Sequence, residues 1–315
     1  MKILLVDFDS KIPNLALMKL SAWHKSREDI VGFDTTSPDM VYVSLIFSKN
    51  REQAAGLTKM FPNSIVSFGG TGWDLKNFLP PGIETIKPDY DLYPSEYSQG
   101  FTTRGCIRKC GFCVVPDKEG RLQLAQHPRE FHDDRFDTCM IMDNNLLAAP
   151  EEWIKSVFSW FEDQGVKMLS PQGWDARLLT EDTVELLKTV KHPKGLHFAW
   201  DDTLDEKKIV SAIRLLKDAG FDLKHNISFY VLAGYETGFE DALYRCNRLR
   251  EMGTNAFVMR YHKKDRKINK LSEWANRRWM YWSSPFDVID CAGHVCMVRI
   301  YKGSKIAENG PQEVE

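Results

Sequence analysis

The chain has 315 residues, of which 43% are hydrophobic and 27% are charged. It is long enough for two globular domains, and this composition excludes disorder over most of its length. The formal net charge of -2 gives no overall attraction to nucleic acid or to an anionic membrane, so any such attraction must come from a local patch.

Short apolar runs alternate with amphipathic segments in the first third of the chain. KILLVD, MVYVSLIF and SIVSFGGTG are typical of buried strands, and PNLALMKLSAWHKSRE and REQAAGLTKMF are typical of helices, the former with Pro13 at a plausible first helical position. This alternation predicts a parallel sheet with right-handed crossovers. We therefore predict an α/β fold in which residues 1–95 form a Rossmann-like or flavodoxin-like domain, with residues 79–100 as an irregular linker.

The alternation resumes with longer spacing after residue 95. GFTTRG, TCMIMD, VKMLSP, GLHFAW, NISFYVLAG and NAFVMRYH read as strands, with helices such as the one from Pro150 to Gly165 and the one capped by Thr180 between them. Six strand-helix units are two fewer than a closed eightfold barrel needs. Residues 96–265 are predicted to form a partial (β/α)6 barrel, followed by a helical, basic extension and tail over 266–315.

The opening segment MKILLVDFDS ends its apolar run at Asp7 and lacks the pattern of a secretory leader. No stretch approaches the ~20 apolar residues that span a bilayer. Seven cysteines, three of them crowded together, fit a reducing compartment and metal ligation better than a disulfide framework. These features predict a cytoplasmic protein without a membrane partner.

The crowded cysteines are Cys106, Cys110 and Cys113, spaced CxxxCxxC within FTTRGCIRKCGFCVVP. Protein metal sites usually close with four ligands, and catalytic sites leave one position open. Three thiolates can hold three irons of a 4Fe-4S cube and leave one iron for a substrate. Two alternatives remain open: a zinc knuckle, and a four-cysteine cluster with a distant fourth ligand.

This motif, with Phe112 before the third cysteine, resembles the signature of radical S-adenosylmethionine (SAM) enzymes. The resemblance implies that SAM chelates the open iron and that one electron, from a reductant such as flavodoxin or ferredoxin, cleaves it to a 5'-deoxyadenosyl radical. Hydrogen abstraction from an unknown substrate would follow. A cobalamin-dependent methyltransferase and a methylthiotransferase-like enzyme are alternative outcomes, and a metal-stabilised nucleic-acid-binding module is the alternative of another class.

The segment IMDNNLL after the second barrel strand is similar to that of methylthiotransferases and cobalamin-dependent radical enzymes. The resemblance implies that its polar residues lie near the SAM amino group, where acids and amides supply acceptors. Polar residues also end later strands: Arg177 is the expected partner of the SAM carboxylate, and Gly234 would let adenine approach the backbone. The full predicted cofactor-binding set is Phe112, Asp143, Asn144, Asn145, Gln172, Asp175, Arg177, Asp201 and Gly234.

The N-terminal domain resembles a cobalamin-binding domain in its position before the barrel. The family pattern that supplies the lower cobalt ligand is DxHxxG, but the only histidine before the linker is His24, on a predicted helix, without that Asp or Gly. We therefore expect a degenerate domain that covers the barrel, with cobalamin as the alternative. An amphipathic helix would place His24 at a half-exposed surface position.

The segment 261–282 carries seven Lys or Arg, two acids and three tryptophans. Cations could meet phosphates and exposed indoles could stack on bases, which makes nucleic acid or a nucleotide a candidate partner. An amphipathic helix with buried tryptophans is the alternative. Further along, Cys291, His294 and Cys296 are weak candidates for ligands of a second cluster.

Overall fold

The computed structural model describes residues 1–286, which form a mixed α/β fold with parallel sheets. In chain order the strands are β1 (Lys2–Asp7), β2 (Ile30–Gly32), β3 (Met40–Ser44), β4 (Ile65–Gly69), β5 (Ser98–Gly100), β6 (Thr103–Arg104), β7 (Gln123–Leu124), β8 (Thr138–Ile141), β9 (Lys167–Leu169), β10 (Leu196–Ala199), β11 (Ile227–Ala233) and β12 (Asn255–Arg260). The α-helices are α1 (Leu15–Lys25), α2 (Arg51–Ala55), α3 (Leu57–Met60), α4 (Pro81–Glu84), α5 (Val115–Lys118), α6 (Pro128–Phe131), α7 (Glu151–Gln164), α8 (Glu181–Thr189), α9 (Glu206–Asp218), α10 (Leu223–Asn226), α11 (Phe239–Glu251), α12 (Arg266–Asn276) and α13 (Arg278–Ser283). Short 3-10 turns cover Ser48–Asn50, Leu146–Ala148, Ala176–Leu178 and Thr203–Asp205.

The first sheet has the order β2-β1-β3-β4, and all its pairings are parallel. Side chains alternate between its faces, as strand geometry requires. Ile3 and Leu5 pack with Leu17 of α1, whereas Leu4 packs with Val41 in a second apolar cluster. Both faces of the sheet are therefore covered by apolar side chains, which explains why its strands read as continuous apolar runs.

Four details of this region differ from the predicted elements. Residues 79–100, predicted as an irregular linker, contain α4 and β5. Helix α1 begins at Leu15, because the Asn14 side chain accepts the amide of Leu17 and caps the helix, so Pro13 lies outside it. The segment REQAAGLTKMF forms two short helices that meet at Gly56. Strand β2 was not predicted, since three residues at a sheet edge leave no readable period.

The later strands form two three-stranded parallel sheets, β5-β8-β9 and β10-β11-β12. An isolated parallel bridge between Trp174 and Phe198 links the chain just after β9 to β10. Six parallel strands, β5, β8, β9, β10, β11 and β12, thus occur in this chain order, and the antiparallel pair β6-β7 lies between β5 and β8. Their carboxyl ends, and the loops that leave them, lie on one side of the sheets.

Helix α7 shows how the sequence pattern buries one face. Glu151 and Glu152 occupy its first turn, and Gly165 ends it with a left-handed φ of 63°, a conformation that glycine adopts without strain. Its buried residues, Ile154, Val157, Phe158 and Phe161, recur at helical spacing. This face joins a large core that contains residues from Leu122 to Phe286, separate from the clusters of the first sheet.

The tryptophan-rich segment of the C-terminal part is largely packed against this core. Trp274 of α12 is fully buried, and Trp282 donates from Nε1 to Asn255 Oδ1 over 2.9 Å. Trp279 alone of the three remains exposed, at 66%. In residues 1–286 no helix is long and apolar enough to cross a membrane.

The fold also predicts a pH dependence through His192, whose partly buried ring donates from Nε2 to the Leu187 carbonyl over 2.9 Å. Burial lowers the pKa of His192 from 6.5 to about 4. Between these values the unfolded chain binds a proton that the folded chain does not, so stability falls as the pH drops below 6.5. We expect on the order of 2 kcal/mol to be lost from this group between pH 7 and pH 5.

Urea denaturation of the wild type and of His192→Gln at pH 7 and pH 5 measures this effect. The variant should lose less stability than the wild type on acidification. His225→Gln, which changes an exposed histidine, should behave as the wild type. A parallel loss of stability in the wild type and in His192→Gln would contradict the assignment.

Candidate metal centre

The cysteine motif occupies the loop between β6 and α5. Gly105 begins it with a φ of +80°, and a Cβ there would lie 2.3 Å from the Arg121 carbonyl oxygen, so the two ends of the loop approach closely only because this residue is glycine. The Cys106 amide donates to Gly120 O over 3.3 Å, and the Cys113 amide donates to Cys110 O over 3.0 Å. The motif is therefore held in a closed loop.

All three thiols of the motif are free and partly buried. Cys139 and Cys246, by contrast, are fully buried in the core, and burial raises the pKa of both thiols, that of Cys246 to about 12. Thiols with such a pKa are inert core groups. The motif cysteines are thus the accessible thiols of the described part of the chain.

The motif cysteines lie within electrostatic range of one another and of two strand-end residues. The pKa of Cys110 is raised, first by burial and then by Cys113, Asp201 and Cys106, against the lowering effect of Arg177. Within residues 1–286 no group of three or more His, Cys, Asp or Glu side chains is placed so that it could hold a metal ion. The thiols therefore share one neighbourhood without converging on a single point.

Two N–H donors point at the sulfur of Cys106. The Arg108 amide lies 3.3 Å from Sγ, and Nδ2 of Asn145 lies 3.6 Å from it. Such donors stabilise a thiolate and tune the electronics of a cluster sulfur. The loop after β8 thereby contacts the cysteine loop directly.

Asp175 joins three loops of this site. Its carboxylate accepts from Arg108 Nε over 3.0 Å, from Asn145 Nδ2 over 3.3 Å and from Arg177 Nε over 2.7 Å. Although burial acts to raise its pKa, Arg177 and Arg108 hold the pKa of Asp175 below its usual value. Asp175 therefore remains an anion that ties the cysteine loop to the loops after β8 and β9.

The guanidinium of Arg177 forms ion pairs with two acids, Asp175 and Asp205. Its guanidinium donates to both carboxylate oxygens of Asp175 and, from Nη1, to Asp205 Oδ2 over 2.9 Å. These bonds use three of the five N–H groups of an arginine and leave two for another acceptor. The two acids hold the guanidinium in place beside the cysteine loop.

Asp143 and Asn144 brace the start of the cysteine loop from inside the protein. Asp143 is buried and accepts from the Thr102 amide over 2.6 Å, from the Thr102 hydroxyl, and from the Thr103 hydroxyl over 2.7 Å. Burial raises its pKa to about 6, against the lowering effect of these hydrogen bonds. Asn144 Oδ1 accepts from the Gly105 amide over 3.1 Å.

Asn145 differs from these neighbours because its acceptor oxygen is not used. The side chain is buried, its Nδ2 points at Cys106 and Asp175, and its Oδ1 has no hydrogen-bond partner within the described residues. A buried acceptor without a partner costs free energy, on the order of 1 to 3 kcal/mol. Asn145 Oδ1 is thus positioned to accept from a bound ligand.

Four predicted cofactor-binding residues remain: Phe112, Gln172, Asp201 and Gly234. Phe112 packs edge-on against Tyr235, with ring centroids 5.6 Å apart, and Asp201 Oδ1 accepts the Leu232 amide over 3.0 Å. Burial raises the pKa of Asp201. Gly234 has a φ of +85°, and a Cβ there would lie 2.7 Å from Ile268, so its missing side chain leaves room for α12 as well as permitting the turn. Gln172 is exposed.

His24 is buried, at 2% exposure, rather than half-exposed as an amphipathic helix would place it. Its Nδ1 lies 2.7 Å from Asp29 Oδ2, and its Nε2 lies 3.2 Å from Tyr42 Oη. The prediction was wrong because the helix packs this face on the sheet. With both ring nitrogens engaged, His24 is not available as a cobalt ligand. The candidates Cys291, His294 and Cys296 lie outside the described residues.

Several site residues were missed by the sequence analysis. Arg108 lies inside the cysteine motif, and Tyr235 follows Gly234 directly, so their positions were visible although their contacts were not. A Cβ at Gly111 would lie 2.4 Å from Tyr235 Oη, which shows how closely the cysteine loop meets the loop after β11. Nothing in the sequence marked Thr102 and Thr103 as site residues except their position after a strand.

Comparisons with known proteins do not identify a family for this chain. No family model matches the chain, and no curated protein matches it. The class that the fold defines is a mixed α/β protein with parallel sheets and a three-cysteine loop at the carboxyl ends of the strands.

Proposed function

We propose that this chain is a radical SAM enzyme in which Cys106, Cys110 and Cys113 hold a 4Fe-4S cluster. In this proposal residues 96–265 are a partial (β/α)6 barrel and residues 1–95 a Rossmann-like domain. The six parallel strands in chain order support the first assignment, and the four-stranded parallel sheet supports the second. Hydrogen abstraction from a substrate is the reaction class.

The observation that carries the proposal is the meeting of the cysteine loop with the strand-end polar residues. Asn145 and Asp175 follow different strands, and both contact the cysteine loop, through Cys106 and Arg108 respectively. Ligand sites in parallel α/β folds form at these strand ends. A structural metal site would need no such polar neighbourhood with an unpaired buried acceptor.

The three accessible thiols do not converge on one point, but their donor chemistry suits a cluster of this kind, because each can become a thiolate ligand and Cys106 already receives two N–H donors. When bound, the cluster supplies the electron that cleaves SAM to methionine and a 5'-deoxyadenosyl radical. Asn145 Oδ1 would accept from the SAM amino group. The two remaining N–H groups of Arg177 would bind its carboxylate.

Asn145→Ala and Arg177→Ala should each weaken SAM binding while the iron content of the reconstituted protein stays unchanged. Neither side chain is a metal ligand, and each is assigned a hydrogen bond to the cofactor, so each loss should be about 1 to 3 kcal/mol. That is up to about a hundredfold in affinity. Titration of the reduced cluster with SAM, followed by its electron paramagnetic resonance signal, measures the change.

Arg214→Ala is the matched control for the arginine variant, because Arg214 is exposed on α9. It should bind SAM as the wild type does. Unchanged SAM affinity in both site variants would mean that the strand-end residues do not bind the cofactor. The direct test of the proposed function is SAM cleavage by the reconstituted and reduced protein.

A further inference from the structure

An open groove of about 990 Å³ lies at the carboxyl edge of the first sheet. The loop after β3 and the loop after β4 form its walls, and Val114, the residue after Cys113, also lines it. Ligands of open parallel sheets bind outside the carboxyl ends of the strands. The cofactor assignments above use no residue of this groove.

The groove is held open by its own loops. Asp9 accepts the amides of Ile46 and Phe47 over 2.7 and 3.1 Å and the Asn50 side-chain amide over 2.8 Å. A Cβ at Gly72 would lie 2.7 Å from the backbone of Phe47, so the two walls pack backbone against backbone. Such a preformed wall requires little ordering when a ligand binds.

The groove combines apolar surface with cations and with one acid, Asp74, whose Oδ1 accepts the Lys76 amide over 2.8 Å. Phe47 is 43% exposed in it, and the Lys49 ammonium lies 5.9 Å from the centre of the Phe47 ring. The Arg51 guanidinium lies 4.9 Å from the centre of the Trp73 ring. Within residues 1–286 neither Lys49 nor Arg51 forms a salt bridge, although both line the groove.

We propose that this groove binds a nucleotide, with its phosphates on Lys49 and Arg51 and its base on Phe47. Unpaired cations recognise phosphate, and an exposed aromatic ring stacks on a base. One exposed ring beside two cations suits a single nucleotide, whereas a nucleic-acid strand needs a series of aromatic rings and cations along its length. The volume is in the range of small-molecule sites.

The groove also lies next to the cysteine loop. Lys76 donates to the carbonyl of Asp117 in α5, and Lys118 of α5 lies over Phe78 at 5.3 Å. Val114, which lines the groove, is 43% exposed and directly follows Cys113. The assignment of a nucleotide bound here as the substrate of the radical rests on this adjacency and on the proposed function, whereas binding itself does not require the cluster.

Isothermal titration of the full chain, purified without iron, tests binding with ATP, GTP, CTP and UTP. At least one nucleotide should bind more tightly than both its nucleoside and inorganic phosphate. Lys49→Glu combined with Arg51→Glu should weaken that binding at least tenfold, and Phe47→Ala should reduce the preference for nucleotide over phosphate. Lys59→Glu, on the exposed surface of α3, should leave binding unchanged.

Two results would overturn the nucleotide site: no binding of any of the four nucleotides, or binding that the Lys49 and Arg51 changes leave intact. Tighter binding of a short single-stranded oligonucleotide, lost in the same variant, would replace the nucleotide by nucleic acid. The bound nucleotide should also speed deoxyadenosine formation by the reconstituted protein. Nucleotide binding without any deoxyadenosine formation would leave the groove assigned and overturn the radical function.

Discussion

Replacing any one of Cys106, Cys110 and Cys113 by alanine should abolish the brown cluster of the reconstituted protein. A cube held by three thiolates loses an anchor when one is removed, and the two cysteines outside the motif in residues 1–286, Cys139 and Cys246, are too buried to replace it. Iron and sulfide content, together with the visible absorption spectrum, measure the loss. The expected result for each variant is a colourless protein without stoichiometric iron.

Cys246→Ala is the matched control for these three variants. Cys246 is fully buried on α11, and its thiol contributes only packing, so the change should cost about 1 kcal/mol of stability and leave the iron content intact. Loss of colour in Cys246→Ala would show that the ligand set is wrong. Retention of the cluster in one of the three motif variants would show the same.

Arg245→Met should destabilise the folded chain by about 3 to 5 kcal/mol. The Arg245 side chain is fully buried and donates to the carbonyls of Trp200 and Leu232 over 2.6 and 2.9 Å and to Asp241 over 3.2 Å. Methionine fills part of the volume but leaves those acceptors unpaired away from water. The midpoint of urea denaturation measures the free energy of unfolding.

Arg248→Met, one turn along the same helix, is the matched control because Arg248 pairs with acids at the surface. It should shift the midpoint of urea denaturation far less than Arg245→Met does, because exposed ion pairs contribute little to stability. Equal effects of the two changes would contradict the role assigned to Arg245. Because Trp200 and Leu232 lie at the ends of β10 and β11, Arg245 also positions the loops that carry Asp201 and Gly234.

The parts of the fold with a strong local signal could be predicted from the sequence. The runs around β1, β3 and β11 were readable because they are almost continuously apolar, and α7 was readable from its first-turn acids and Gly165. Short elements such as β2 and the break at Gly56 were missed, since tertiary packing decides them rather than local propensity.

The candidate site likewise has a part that local sequence predicts and a part that only the fold brings together. The cysteine spacing is local and therefore visible, and so were Asn145, Asp175 and Arg177 as polar residues after strands. The bond from Arg108 to Asp175 joins residues 67 positions apart, which only the fold brings together. For the same reason the sequence did not distinguish the unpaired Asn145 from Asp143, whose oxygens accept from Thr102 and Thr103.

The most direct test of the central claim is the reductive cleavage of SAM. The full chain is reconstituted anaerobically with iron and sulfide, reduced with dithionite and given SAM, and the products are separated by liquid chromatography. The account predicts a 4Fe-4S protein that forms 5'-deoxyadenosine and methionine, with no product from the Cys106→Ala chain. Stoichiometric zinc, no iron uptake and no 5'-deoxyadenosine would contradict it.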